Sequence, residues 1–196
     1  MKGVALREYC HKLSTVAYRD DVEIHSFGGI DIYREYHDDT DTTFLAFAGS
    51  NETFDWFRGF HFFPKRAVFG KAHRGYYKKI KQHQLSIMAL VKPESRLVLT
   101  GHSKGGAEAQ LFAAMMPHLN IAAVVTFGAP KPIKKLFSPL HEQQLRDRTT
   151  NYVNPNDGFT RVPLGWDRIG KDVIKSFTVY GSEHPLACYA EFFVDV

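Results

Sequence analysis

Apolar and polar positions follow two rhythms along this chain, and the rhythm changes at glycines and prolines. Short apolar runs bounded by turn residues fall at Thr42–Ala48 (TTFLAFA), Arg96–Thr100 (RLVLT), Ile121–Phe127 (IAAVVTF), Thr149–Asn154 and Ser176–Tyr180. Runs of that length predict strands buried in a sheet. Glu23–Phe27 and Ile30–Tyr36 flank Gly28-Gly29. The second alternates Ile30 and Ile32 with Asp31 and Arg34, which fits a strand with one covered face. Elsewhere the period is helical. Val4–Arg19 offers Val4, Leu6, Leu13, Val16 and Ala17 to a core, and Ala72–Val91 predicts a long helix stopped before Pro93. Ala107–Met116 carries strong helix formers and closes at Pro117, and a last helical turn falls near Leu186–Phe193. Strands alternating with helices predict an α/β chain: a mostly parallel central sheet with helices on both faces.

Composition narrows this picture without changing it. At 196 residues, 44% hydrophobic and 14% aromatic, the chain is expected to form a single domain spanning 1–196. Two cysteines, Cys10 and Cys188, make no disulfide framework and give no sign of an oxidising compartment. Met1–Asp20 is interrupted by Arg7, Glu8, His11 and Lys12, so no signal peptide is expected there. A cytoplasmic setting follows, with export by an unrecognised route as the alternative. No stretch reaches the roughly 18 apolar residues of a membrane span.

Charge is uneven. Trp56–Pro93 contains no Asp or Glu but nine basic residues, so of the chain's 25 basic residues 16 stand against 21 acidic ones elsewhere. An anionic lipid surface would be drawn to such a segment, and a merely solvated lysine-rich helix face accounts for it equally well. No nucleic-acid motif accompanies the charge, so a nucleic-acid partner is not expected. No His, Cys or carboxylate cluster has metal-ligand spacing, and neither a metal nor a cofactor is expected.

One stretch carries chemistry. Gly101-His102-Ser103-Lys104-Gly105-Gly106 lies where a strand feeds a helix and matches G-x-S-x-G, the nucleophile elbow. There the serine hydroxyl projects from the end of a strand beside a helix N-terminus, which favours an oxyanion. Such a serine needs a base, and the base needs an acid to orient it. In α/β-hydrolases these follow in the order serine, acid, histidine, each on a loop after a strand. Asp157 follows the Thr149–Asn154 strand, and His184 follows the Ser176–Tyr180 strand. Asp147, Asp167 and Asp172 lie upstream of strands, and His73 and His102 do not follow the acid.

The chain resembles the class 3 lipase family, whose fungal triacylglycerol lipases have an α/β-hydrolase fold. The matching pieces are LAFAGS (Leu45–Ser50) with Asp55-Trp56, AHRGYY (Ala72–Tyr77), TGHSKGG (Thr100–Gly106, with Lys where Leu is more usual), VTFGAP (Val125–Pro130), NPNDGFTRVP (Asn154–Pro163) and His184. The resemblance implies Ser103 as nucleophile, His184 as general base and Asp157 as orienting acid. It implies Ser50 as the first oxyanion-hole residue and the Lys104 backbone N–H as the second. The family carries its lid where Asn51–Phe63 falls here. Phe54, Trp56, Phe57 and Phe60 would give that segment an aromatic face suited to an acyl groove, to a lipid interface or simply to a core.

The implied activity is hydrolysis of acyl-lipid esters through an acyl-enzyme, with peripheral contact at a lipid surface. A phospholipase A1 or lysophospholipase acting at anionic membranes is the alternative enzyme. A non-catalytic lipase-fold protein of membrane surfaces is the alternative class. Oligomeric state is left open.

Overall fold

In a computed structural model, residues 3–50, 63–136, 139–177 and 184–193 are described. The chain enters through α1 (Gly3–Val16) and a pair of strands, β1 (Ile24–Phe27) and β2 (Ile30–His37), which turn at Gly28-Gly29. β3 (Thr42–Phe47) pairs antiparallel with β2 and parallel with β6 (Arg96–His102). Beyond it β7 (Ile121–Phe127), β9 (Thr149–Val153) and β10 (Lys171–Ile174) add in parallel. The result is a seven-stranded sheet in the order β1-β2-β3-β6-β7-β9-β10.

From β3 onward the order advances in one direction, and parallel crossovers are right-handed. Together these put the described α-helices of the crossovers on one face. α2 (Arg74–Met88), α3 (Lys104–Met115) and α4 (Pro139–Arg148) lie there, over Leu45, Phe47, Leu97 and Leu99. The opposite face carries Phe44, Ala46, Val98 and Val125, covered by α1 and a 3-10 helix at Leu186–Phe193. Successive residues of β3 and β6 therefore enter opposite cores, which is why these strands read as continuous apolar runs. Both cysteines are buried, Cys10 in α1 and Cys188 in the Leu186–Phe193 3-10 helix, so both belong to this second side of the molecule.

The structure corrects several predicted boundaries. Ala72 and His73 are not helical but end β5 (Gly70–His73), the middle strand of a small antiparallel sheet, β4-β5-β8. Its neighbours are β4 (Pro64–Arg66) and β8 (Ile133–Leu136). Gly70 is pressed so close to β8 that a Cβ would stand 2.2 Å from the Lys135 carbonyl. Among the described residues the last strand is Lys171–Ile174; of the predicted strand Ser176–Tyr180, Ser176 and Phe177 are outside any strand, and 178–180 lie outside the described residues. α3 starts at Lys104, three residues earlier than the sequence predicts, because Gly105 and Gly106 belong to its first turn. The predicted aromatic cover, with Phe54, Trp56, Phe57 and Phe60, also lies outside the described residues. Among those that are described, no helix is long and apolar enough to cross a membrane.

Candidate active site

β6 ends at His102, and Ser103 makes the turn into α3 with φ 53° and ψ −129°. Only two other non-glycine residues among those described have positive φ, so the turn is an isolated point of backbone strain. Two contacts hold it. The Ser103 N–H donates to the Phe127 carbonyl at the end of β7, at 3.0 Å. Gly105 lets α3 approach β3, where a Cβ would meet the Phe47 carbonyl oxygen at 2.0 Å. Any larger residue at 105 would push the elbow off the sheet.

His184 Nε2 lies 2.8 Å from Ser103 Oγ, and its Nδ1 lies 2.9 Å from Asp157 Oδ2. All three side chains are buried. Asp157 follows β9 in a turn closed by its own N–H to the Asn154 carbonyl, and it caps the 3-10 helix Gly158–Arg161. Its Oδ1 accepts the Phe159 N–H at 2.9 Å. A carboxylate so placed leaves Oδ2 for the imidazole, which fixes Nδ1–H as donor and Nε2 as acceptor toward the serine. The Phe159 ring stacks on His184 with centroids 3.9 Å apart, and the His102 ring lies 4.9 Å away.

The rival residues have other occupations. Asp172 sits inside β10 and is bound by Arg168 and Asn151. Asp167 exchanges main-chain bonds with Ile133, and Asp147 accepts from Gln143. His73 is buried against Tyr76 and Trp166. His102 donates from Nε2 to the His184 carbonyl at 2.8 Å, and its Nδ1 accepts from Tyr18 OH at 2.9 Å. Burial, with the neighbouring His184 adding to it, pushes His102 down to about 3, so this ring is a neutral support for the His184 main chain.

Sequence reasoning missed Tyr189. From the C-terminal 3-10 helix its hydroxyl donates to Asp157 Oδ2 at 2.5 Å, so the carboxylate has three donors. Burial, then Asp157, raises the phenol well above its ordinary value and keeps it a donor. No local pattern marks it out. The signal is only a tyrosine on the buried side of a helix that follows the histidine.

The two residues expected to bind an oxyanion follow the ends of adjacent strands. Phe47 pairs with Gly101, and three residues beyond each lie Ser50, which is half-buried, and Lys104. The Lys104 N–H opens α3 and so has no acceptor within its own helix. Among the described residues, no group of His, Cys, Asp and Glu is arranged to hold a metal ion.

A serine at a strained strand-to-helix turn, joined to a histidine and an aspartate from later strand ends, defines the α/β-hydrolase class, and the mostly parallel sheet agrees. The family model for class 3 lipases matches residues 44–165, more than half of the chain, and the protein belongs to that family. Solved structures agree in fold at low identity. A lipase–propeptide complex from Rhizomucor miehei (a deletion mutant) is 19% identical, with a TM-score of 0.72 over 89% of this chain and 67% of that one. The mono- and diacylglycerol lipase from Aspergillus oryzae is 17% identical, with a TM-score of 0.67 over 92% of this chain and 82% of that one. A triacylglycerol lipase described as having a serine protease triad at its catalytic centre is 20% identical, with a TM-score of 0.65 over 87% and 79%. No curated protein sequence matches the chain.

Proposed function

We propose that the protein is a serine carboxylic-ester hydrolase that cleaves acyl lipids through an acyl-enzyme. The reading rests on the Ser103–His184–Asp157 line, with its contacts of 2.8 and 2.9 Å. Ser103 Oγ attacks the ester carbonyl as His184 Nε2 takes its proton, and Asp157 stabilises the imidazolium that forms. The carbonyl oxygen, now negative, accepts the backbone N–H groups of Ser50 and Lys104. Collapse expels the alcohol, protonated by His184, and water activated by the same ring releases the acid.

Family membership and the mono-, di- and triacylglycerol lipases among the structural neighbours support a lipid substrate. The phospholipase A1 or lysophospholipase reading is favoured by one observation. Lys65, Lys71, Lys78, Lys79, Lys81 and Lys92 are all exposed along the acid-free segment, where they suit an anionic headgroup or bilayer.

A fluorophosphonate probe and a panel of triacylglycerol, phospholipid and short-chain ester substrates test both readings. Labelling of wild type but not of Ser103→Ala, with turnover of at least one lipid class, is the expected result. Equal labelling of the two proteins, or turnover surviving in Ser103→Ala, would refute the assignment.

A further inference from the structure

α3 is buried along nearly its whole length, yet two ionisable side chains lie on it one turn apart. Lys104 is 7% exposed and Glu108 is 0% exposed. The Lys104 Nζ donates to the Gly29 carbonyl in the β1–β2 turn at 2.8 Å and stands 3.9 Å from Glu108 Oε2. Neither Glu108 oxygen has a hydrogen-bond partner among the described residues. Tyr76 and Lys79 of α2, Asp31 of β2 and Tyr18 surround the carboxylate electrostatically. Burial pushes Glu108 up to about 7 against the pull of Lys104 and then Lys79.

As a source of stability this pair is poorly built. A lysine at a helix N-terminus opposes the helix dipole, and lysine before glutamate is the weaker order for an i,i+4 pair. Desolvating two charges outweighs their attraction unless further hydrogen bonds satisfy them, and Glu108 has none. What the pair does provide is position. Lys104 directly follows the strained serine, and Ser103 offers the first turn of α3 no side-chain cap. The ammonium, which only donates, leaves that turn's N–H groups uncapped but ties the first residue of α3 to a carbonyl at the β1–β2 turn and to a carboxylate one turn further along the helix.

We propose that Lys104 and Glu108 form a buried positioning pair that locks the elbow against the β1–β2 turn and aims the Lys104 N–H at the developing oxyanion. The inference rests on Ser103 being the nucleophile. Lys104→Met removes the ammonium but leaves the backbone N–H, and Glu108→Gln removes the charge at constant shape. These two variants and their double are compared with wild type on a soluble short-chain p-nitrophenyl ester. kcat and KM are determined separately, alongside thermal melting and fluorophosphonate labelling of Ser103.

Each single variant should fold, keep KM within about twofold and lose about 10–100-fold in kcat, a fraction of the loss on deleting an oxyanion donor outright. The double variant should lose less than the product of the single losses, because neither charge is left alone. Should Glu108→Gln fail to fold, Lys104→Met decides the matter alone through its kcat. Wild-type kcat in a folded single variant, a lower melting temperature with kcat intact, or losses that simply multiply in the double would each overturn the pair. An inactive, unlabelled wild type would instead overturn the Ser103 reading, and the pair with it.

Discussion

The strain at Ser103 has a consequence that can be measured without substrate. At φ 53° and ψ −129° an L residue pays of order 1–3 kcal/mol for its backbone conformation. Ser103→Ala keeps the Cβ and therefore the strain. Ser103→Gly removes both. Each variant loses the hydroxyl's contact with His184, so the difference between them isolates the backbone term. Opposing the relief is the greater freedom of glycine in the unfolded chain, about 0.4–1 kcal/mol. The net is about 1 kcal/mol in favour of Ser103→Gly, or about 2–4 °C in Tm for a domain of this size. Scanning calorimetry of the two variants in one buffer reads this difference, and an ester assay checks that both are inactive. If Ser103→Gly melts at or below Ser103→Ala, the elbow is not strained and the reasoning fails.

Three further outcomes follow from the same geometry. Asp157→Asn should lower kcat by about 10⁴-fold, because an amide no longer holds His184 in the tautomer that accepts the serine proton. Asp172→Asn, whose partners are Arg168 and Asn151, should alter stability and leave turnover within a few-fold; equal kinetic losses would name the wrong acid. His102 is held down to about 3 by burial, from 6.5 when unfolded, so the stability it lends is full above pH 6.5 and drains away as pH falls toward 3. By pH 4 that loss is about 3 kcal/mol, and urea unfolding at pH 7 and pH 4 should show a pH dependence shallower by that amount in His102→Gln. An unchanged pH dependence would mean that His102 charges freely in the folded protein.

Much of the site was legible because its signals are local. An apolar run followed by glycine marks a strand end wherever both faces of a strand are buried, as in β3, β6 and β7, and the turn residues Asn154-Pro155 mark the end of β9 in the same way. G-x-S-x-G depends on steric room within five residues, and the order serine, aspartate, histidine follows from which strands end where. Asp157 could be preferred to Asp172 from its place after a strand alone. For His184 the same reasoning named the residue whose Nε2 lies beside Ser103 Oγ, and most of the strand expected before it lies outside the described residues.

What the sequence by itself determined, then, is the set of segments that must be buried and the local geometry of the elbow, because solvation and sterics act over a few residues. Tertiary structure decided the rest. Gly70–His73 became a strand because β8, some sixty residues later, offered it a pairing edge, and helical periodicity could not register that offer. Lys171–Ile174, too polar to read as a buried run, is a strand because β9 holds it in register, with Lys171 opposite Thr150. Tyr189 reaches Asp157 only because the C-terminal 3-10 helix packs on the same face of the sheet as α1. Lys104 and Glu108 share a helix face by spacing alone, yet their burial depends on the β1–β2 turn closing over them. Contacts between residues distant in the chain are set by how whole faces cover one another, and that is a property of the assembled layers.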